Sequence, residues 1–246
     1  IPNCKYNAAV SLIDDGEFVE AYDNLIALNG YKDSTEKAAD IFEQYKPEKL
    51  KVANVGDIVF FGVYEQDNDT SNGKEDIEWR VLAKEDGRIL LITDKAIDCQ
   101  RYSDTYTDTT WEKCSLRKWM NDIFFNTAFS TEEQAKVQST KISADRNPEY
   151  DTDPGNATTD KVFLLSIDEV NKYFNSDKAR ACIPTAYAKE NGAYSYGNTC
   201  LWWLRSPGRY PNDISYLRTT GYVGYEGRIV DSNDTCVRPA MWVSVE

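Results

Sequence analysis

The chain has 246 residues, 41% of them hydrophobic, 28% charged and 13% aromatic, and a formal net charge of −13. That length and composition suit one sizeable folded domain with room for a small second one, and exclude a disordered chain. The acidity argues against nucleic acid as a partner and against adsorption to anionic lipid, and no apolar run approaches the ~20 residues of a membrane span, so no direct membrane insertion is expected.

Histidine is absent. Its absence removes the Ser-His-Asp and Cys-His nucleophiles and imidazole metal sites, so any chemistry rests on carboxylates, thiols, Lys, Tyr or a cofactor. The six cysteines, Cys4, Cys99, Cys114, Cys182, Cys200 and Cys236, contain no C-x-x-C pair, which argues against zinc-ribbon and thioredoxin-type sites. If disulfides form, Cys99 with Cys114 and Cys182 with Cys200 are the expected pairs, each closing a short loop; buried free thiols are the equal alternative. The chain starts at Ile1 rather than Met, and a leader or anchor upstream is expected.

The first 46 residues predict three short helices. Tyr6, Ala9, Val10 and Ile13 form one apolar stripe, Gly16 breaks it, and Phe18, Ala21, Tyr22 and Leu25 form the next. After Asn29-Gly30, Asp33 and Glu36 read as a capping box for a third helix bearing Ala38, Ile41, Phe42 and Tyr45. G-E-F-V-E-A at 16–21 resembles the turn of a tetratricopeptide repeat, but only one such unit is visible where a solenoid needs about three. Pro47 and the Lys-rich stretch 46–51 place the boundary near 48, giving a helical segment 1–48 and a main domain 49–246.

The period then changes from 3.6 to 2. Strands are expected at 58–64, 77–82 and 89–93, the first two joined by a polar loop containing Asn72-Gly73. The run from Leu116 predicts a helix with Leu116, Trp119, Met120 and Ile123 on one face, and Ser130/Glu133 and Ser166/Glu169 predict two capping boxes. V-F-L-L-S at 162–166 reads as a strand after a Pro/Gly/Asp-rich loop at 147–160. From 201 onward short strands alternate with turns at Pro207-Gly208, Thr220-Gly221, Glu226-Gly227 and 232–234. The order of elements predicts an α+β fold of antiparallel sheets with embedded helices, plus a small N-terminal helical hairpin.

L-W-W-L at 201–204 is apolar at every position, as a central strand is, so Trp203 reads as core and Trp202 as core with a lesser ligand-facing alternative. Arg205 and Arg238 each end an apolar strand before a proline, where a guanidinium forks onto carbonyls or a carboxylate to fix a reversal. Asp67, Asp69, Ser71, Gly73, Glu75 and Glu78 occupy alternate positions of a calcium-type loop, but Asn72 stands where that loop needs Gly. The loop 151–160 also carries oxygen ligands. No cofactor is expected; calcium is the one ion with a candidate loop.

The turn-proximal residues Tyr210, Asn212, Asp213, Tyr216, Arg218, Tyr222, Tyr225, Asn233 and Asp234 combine rigid rings with short polar groups, the chemistry of a recognition surface; with Trp202 they are the candidate ligand-binding set. A tyrosine-rich β surface without a ligand is the equal alternative.

The blocks G-D-I-V-F-F-G at 56–62, I-E-W-R-V-L at 77–82, T-W-E-K-C-S-L-R-K-W-M-N at 110–121, D-K-V-F-L-L-S at 160–166, P-T-A-Y-A at 184–188, W-W-L-R-S-P-G at 202–208 and V-R-P-A-M-W at 237–242 resemble an uncharacterised bacterial domain family, over roughly residues 50–246. That family is similar to the C-type lectin-like and formylglycine-generating-enzyme superfamily, which implies a loop-rich α+β domain closed by the strand at 237–242. The Glu-Pro-Asn and Gln-Pro-Asp calcium motifs of sugar-binding lectins do not occur, nor does a close C-terminal cysteine pair, so neither activity carries over. The resulting expectation is a non-enzymatic, extracytoplasmic module that binds a protein or glycan. Its alternatives are an envelope enzyme using carboxylates or a cysteine, and a structural spacer.

Overall fold

The interrupted apolar stripe of the N-terminal residues is realised as two helices, Pro2–Asp14 (α1) and Phe18–Ile26 (α2), separated where Gly16 takes φ +78°. The computed structural model describes residues 2–246 and divides into two units, one ending at Asn54 and one spanning Val55–Val245. In the first unit, Ser34–Asp40 (α3) and Phe42–Val52 (α4) follow α2, and Ala9, Ala21, Leu25, Ala38 and Ile41 form its core. Tyr22 stacks on Tyr45 with ring centroids 4.0 Å apart.

Two expectations change here. The third helix splits at Ile41, and Asp33 does not cap it, because its carboxylate accepts from the Tyr6 phenol and pairs with Lys37. The chain also stays helical through Pro47, which forgoes only one backbone bond, so the units part at Asn54 rather than near 48.

The second unit begins with the three expected strands, Ile58–Tyr64 (β1), Glu75–Glu85 (β2) and Arg88–Thr93 (β3), then Asp98–Cys99 (β4). Helices Ser115–Trp119 (α5), Phe125–Ala128 (α6) and Thr131–Lys136 (α7) come next, with a π-helical turn at Met120–Phe124 between the first two. Thr140–Ile142 (β5) pairs with Thr158–Asp160 (β6). Helices Ile167–Tyr173 (α8), Asp177–Arg180 (α9) and Ala186–Glu190 (α10) precede a ribbon of Ser195–Tyr196 (β7) and Thr199–Cys200 (β8). The C-terminal strands are Trp202–Pro207 (β9), Asp213–Leu217 (β10), Val223–Ile229 (β11), Cys236–Val237 (β12) and Ala240–Ser244 (β13). Both main-domain capping boxes form, Ser130/Glu133 on α7 and Ser166/Glu169 on α8.

The fold is α+β, built on two curled sheets of order β1-β2-β3-β13 and β11-β10-β9-β12-β4. Among the strands of the described residues the pairings are antiparallel except β12 with β9, which is parallel, as is the isolated bridge of Ala96 with Pro184; both depart from the wholly antiparallel expectation. The run C-V-R-P-A-M-W-V, expected as one strand, is two strands in different sheets, since Pro239 cannot donate to a ladder. Arg238 secures the crossing, donating from Nε to the Thr93 carbonyl at 2.8 Å and from Nη2 to the Asp94 carbonyl at 3.3 Å. Every residue of β9 is buried, with Trp202 and Trp203 among the largest enclosed side chains.

Three further readings are corrected. The segment 162–166 is not a strand: only Phe163 bridges to Ala240, and the carbonyls of Leu164 and Leu165 go to Arg205 Nη1 and the Arg205 amide. Glu226-Gly227 is not a turn but lies inside β11, where the register against β10 shifts between Ile214 and Tyr216 and Gly227 takes φ +85°. Thr220-Gly221 is a turn, and it needs glycine, since a Cβ at Gly221 would lie 1.8 Å from the Asp177 carbonyl oxygen.

All six cysteines are free thiols. Cys114 sits against the Trp111 carbonyl, away from its expected partner, and Cys99 instead faces Cys236 across β4–β12. Cys182 does lie opposite Cys200, as a bridged pair without a disulfide.

Candidate functional site

Of the ten residues singled out in the sequence, Trp202 is fully buried, its indole N–H given to the Arg180 carbonyl and its ring facing the Arg238 guanidinium at 5.1 Å. It has no surface to present to a ligand. The others stay at or near the surface. Tyr210 and Tyr222 are 53% and 48% exposed, and Arg209 stands over the Tyr210 ring.

The β10–β11 hairpin brings several of these together. Arg218 pairs with Glu226 and lies 5.6 Å from the Tyr222 ring, Tyr222 meets Tyr225 edge-on, and Arg228 pairs with Asp234 and reaches the Tyr216 ring at 6.0 Å. Gly224 leaves room for Tyr216, whose ring atom lies 2.4 Å from where a Cβ would sit. Asp213 is half-buried, and desolvation raises its carboxyl above the ordinary range. Asn212 is half-buried and Asn233 exposed.

An extensive concavity lies elsewhere, over α5 and the π turn. A groove of about 1080 Å³ runs between the 103–109 loop, the face of 112–126 and residues 159–161. Its floor is Asp160, which accepts from Trp111 Nε1 at 2.9 Å, Thr158 Oγ1 at 2.6 Å and Arg117 Nε at 2.7 Å. With three donors satisfied, that carboxylate is a structural anchor. Asn121 ties the turn to the next segment: its Oδ1 accepts from the amides of Lys161 and Val162, and its Nδ2 donates to the carbonyls of Arg117 and Val162. Lys161 lies over the Phe125 ring at 4.2 Å.

The groove continues into two smaller ones. The first, about 280 Å³, shares Asp104, Ser115, Lys118 and Asp122 with it and adds Leu116, Trp119 and Ile123. The second, about 310 Å³, shares Gln100, Arg101 and Asp104 with the first and reaches Asn233. Asn233 is thus the one member of the sequence-derived set that lines this channel.

Trp119 and Ile123 supply an apolar patch between polar stretches, and the π turn creates it. Helical spacing assigns Ile123 to the core, but a five-residue turn advances the register by one. Phe124 therefore takes the buried position, and Ile123 emerges 59% exposed. Trp119 is half-buried and stacks on Phe124, centroids 5.8 Å apart. The groove was missed in sequence because its walls come from three separated segments; the one local signal was the Ser-, Thr- and Asp-rich stretch at 103–110, which also carries Tyr106.

Along this channel the chemistry favours hydrogen bonding over nucleophilic attack. Cys114 lines the large groove, but burial pushes its thiol up to about 12, so it stays protonated at neutral pH. Deeper, Cys182, Cys200 and Cys236 are in hydrogen-bonding contact; the thiols of Cys182 and Cys236 and the nearby Arg238 lower Cys200 against the opposing effect of burial.

A model of the family described as "Domain of unknown function (DUF6273)" matches residues 86–245. No curated protein and no solved structure matches the chain. Among the described residues no helix is long and apolar enough to cross a membrane.

Proposed function

We propose that this chain, which belongs to the DUF6273 family, is a non-enzymatic binding module whose ligand is a polyhydroxylated glycan lying along the channel over α5 and the π turn. The observation that carries this reading is the lining. Thr105, Thr107, Thr109, Asn126 and Gln134 alternate with carboxylates (Asp104, Asp108, Glu112) and cations (Lys113, Lys118, Lys161), so neither charge sign dominates. Such a surface offers each sugar hydroxyl both a donor and an acceptor. Trp119 and Ile123 add the flat apolar contact on which a pyranose face can rest.

A glycan array followed by calorimetry on the strongest hit tests it. Trp119→Ala should weaken binding on the order of tenfold, the equivalent of about 1.4 kcal/mol, while Tyr222→Ala leaves it unchanged. Absence of any glycan binding would overturn the proposal. A second reading, a protein ligand on the β10–β11 hairpin, is favoured by the exposed Tyr210 and Tyr222 rings held beside Arg209 and Arg218. It reverses the pattern, with Tyr216→Ala and Tyr222→Ala abolishing capture of a protein and Trp119→Ala sparing it.

The kinship with C-type lectin-like domains belongs to the same proposal. It is supported by β13, which follows Arg238-Pro239 and completes the first sheet against β3. An extracytoplasmic setting is likewise part of the proposal, in keeping with a glycan ligand.

A further inference from the structure

The mouth of the β1–β2 hairpin holds a cluster unrelated to the channel. Glu65, Asp67 and Glu75 each place a carboxylate oxygen within 4.8 Å of the others. The strand register puts Tyr64 opposite Glu75, so Glu65 leaves β1 directly beside the first residue of β2.

Two of these groups are already positioned by the loop. Glu75 Oε2 accepts from the amides of Gln66 at 2.6 Å and Asp67 at 3.2 Å. Asp67 accepts at Oδ1 from the Asp69 amide and at Oδ2 from Asn72 Nδ2, both at 2.8 Å. Glu65 differs. Its carboxylate takes the Asn68 amide and lies against Asp67, but the residue is only 9% exposed and its buried Oε1 meets no donor. A carboxylate oxygen withdrawn from water beside two other carboxylates is costly unless a cation or a proton joins them.

We infer that this hairpin mouth is a calcium site, with Glu65, Asp67 and Glu75 as its protein carboxylate ligands. Calcium accepts six to eight oxygens at about 2.3–2.6 Å in a flexible geometry that a loop of carboxylates and water can supply, whereas magnesium at about 2.1 Å demands a near-ideal octahedron. Three carboxylates, only one of them buried, leave the remaining positions to water. Open sites of this kind bind in the range of about 10⁻⁴ to 10⁻³ M. The ligand set is not the alternate-position pattern of the sequence, since Glu78 lies in β2 opposite Phe60 and the Asp69 carboxylate receives Ser71.

The test is thermal unfolding of the full chain after EDTA treatment, with CaCl2 or MgCl2 added at 10 mM. Calcium should raise Tm by about 3–10 °C, and magnesium by much less. Glu65→Gln keeps the shape and removes one buried charge, so in EDTA it should melt no lower than the parent, yet its calcium shift should vanish. Asp69→Asn and Glu78→Gln should respond as the parent does. No calcium shift overturns the site. Equal shifts with both ions in parent and Glu65→Gln overturn it as charge screening of an acidic chain, and loss of the shift in Asp69→Asn or Glu78→Gln overturns the ligand set.

Discussion

Arg205 shows how much one buried guanidinium fixes. It is 4% exposed and donates to the carbonyls of Ser143 and Leu164 and to the carboxylates of Asp145 and Glu169. Glu169 is also the capping-box residue of α8, so the same side chain ties β9 to a helix start and to the irregular 162–166 segment. Lysine carries the charge but not the planar fork. Arg205→Lys should therefore cost about 2 kcal/mol, two lost hydrogen bonds' worth, measured by urea unfolding. A change within 0.5 kcal/mol would show that the fork is dispensable. The sequence indicated this role through the position of Arg205 before Ser206-Pro207; the partners were invisible because they lie 36 to 62 positions away.

At the scale of elements, the π turn is the decisive departure. Helical periodicity marked Leu116 and Met120 as core correctly, then failed at Ile123 because one wide turn moves every later side chain round the axis. Phe124, fully buried between Tyr64, Trp119 and Phe129, should lose about 3–5 kcal/mol on truncation to Ala. Ile123→Ser should stay within about 0.5 kcal/mol while weakening the proposed glycan binding. Chemical denaturation of both variants decides this, and an equal loss in the two would mean that no π turn forms. The two capping boxes were legible as local signals because each is completed within four residues.

At the scale of the molecule, the family match begins at 86, inside the first sheet. A fragment starting there would lack β1 and β2, leave the β2-facing edge of β3 unpaired and delete the fully buried Trp79. Residues 86–245 should therefore aggregate, whereas 55–245, which keeps both sheets, should be soluble and unfold in one transition by calorimetry. A folded 86–245 would show that the first hairpin is an accessory.

The sequence by itself determined the helical start, the three strands after residue 56, the α+β class, both main-domain capping boxes and the burial of Trp203, because each rests on periodicity or on groups a few positions apart. Only the tertiary structure decided that 236–244 divides between two sheets, that Trp202 is enclosed, that Cys99 faces Cys236, and that an extensive groove forms over α5 rather than beside the C-terminal tyrosines. Those outcomes depend on which distant segments meet. Burial, charge and concavity are properties of the meeting and not of any one stretch of chain.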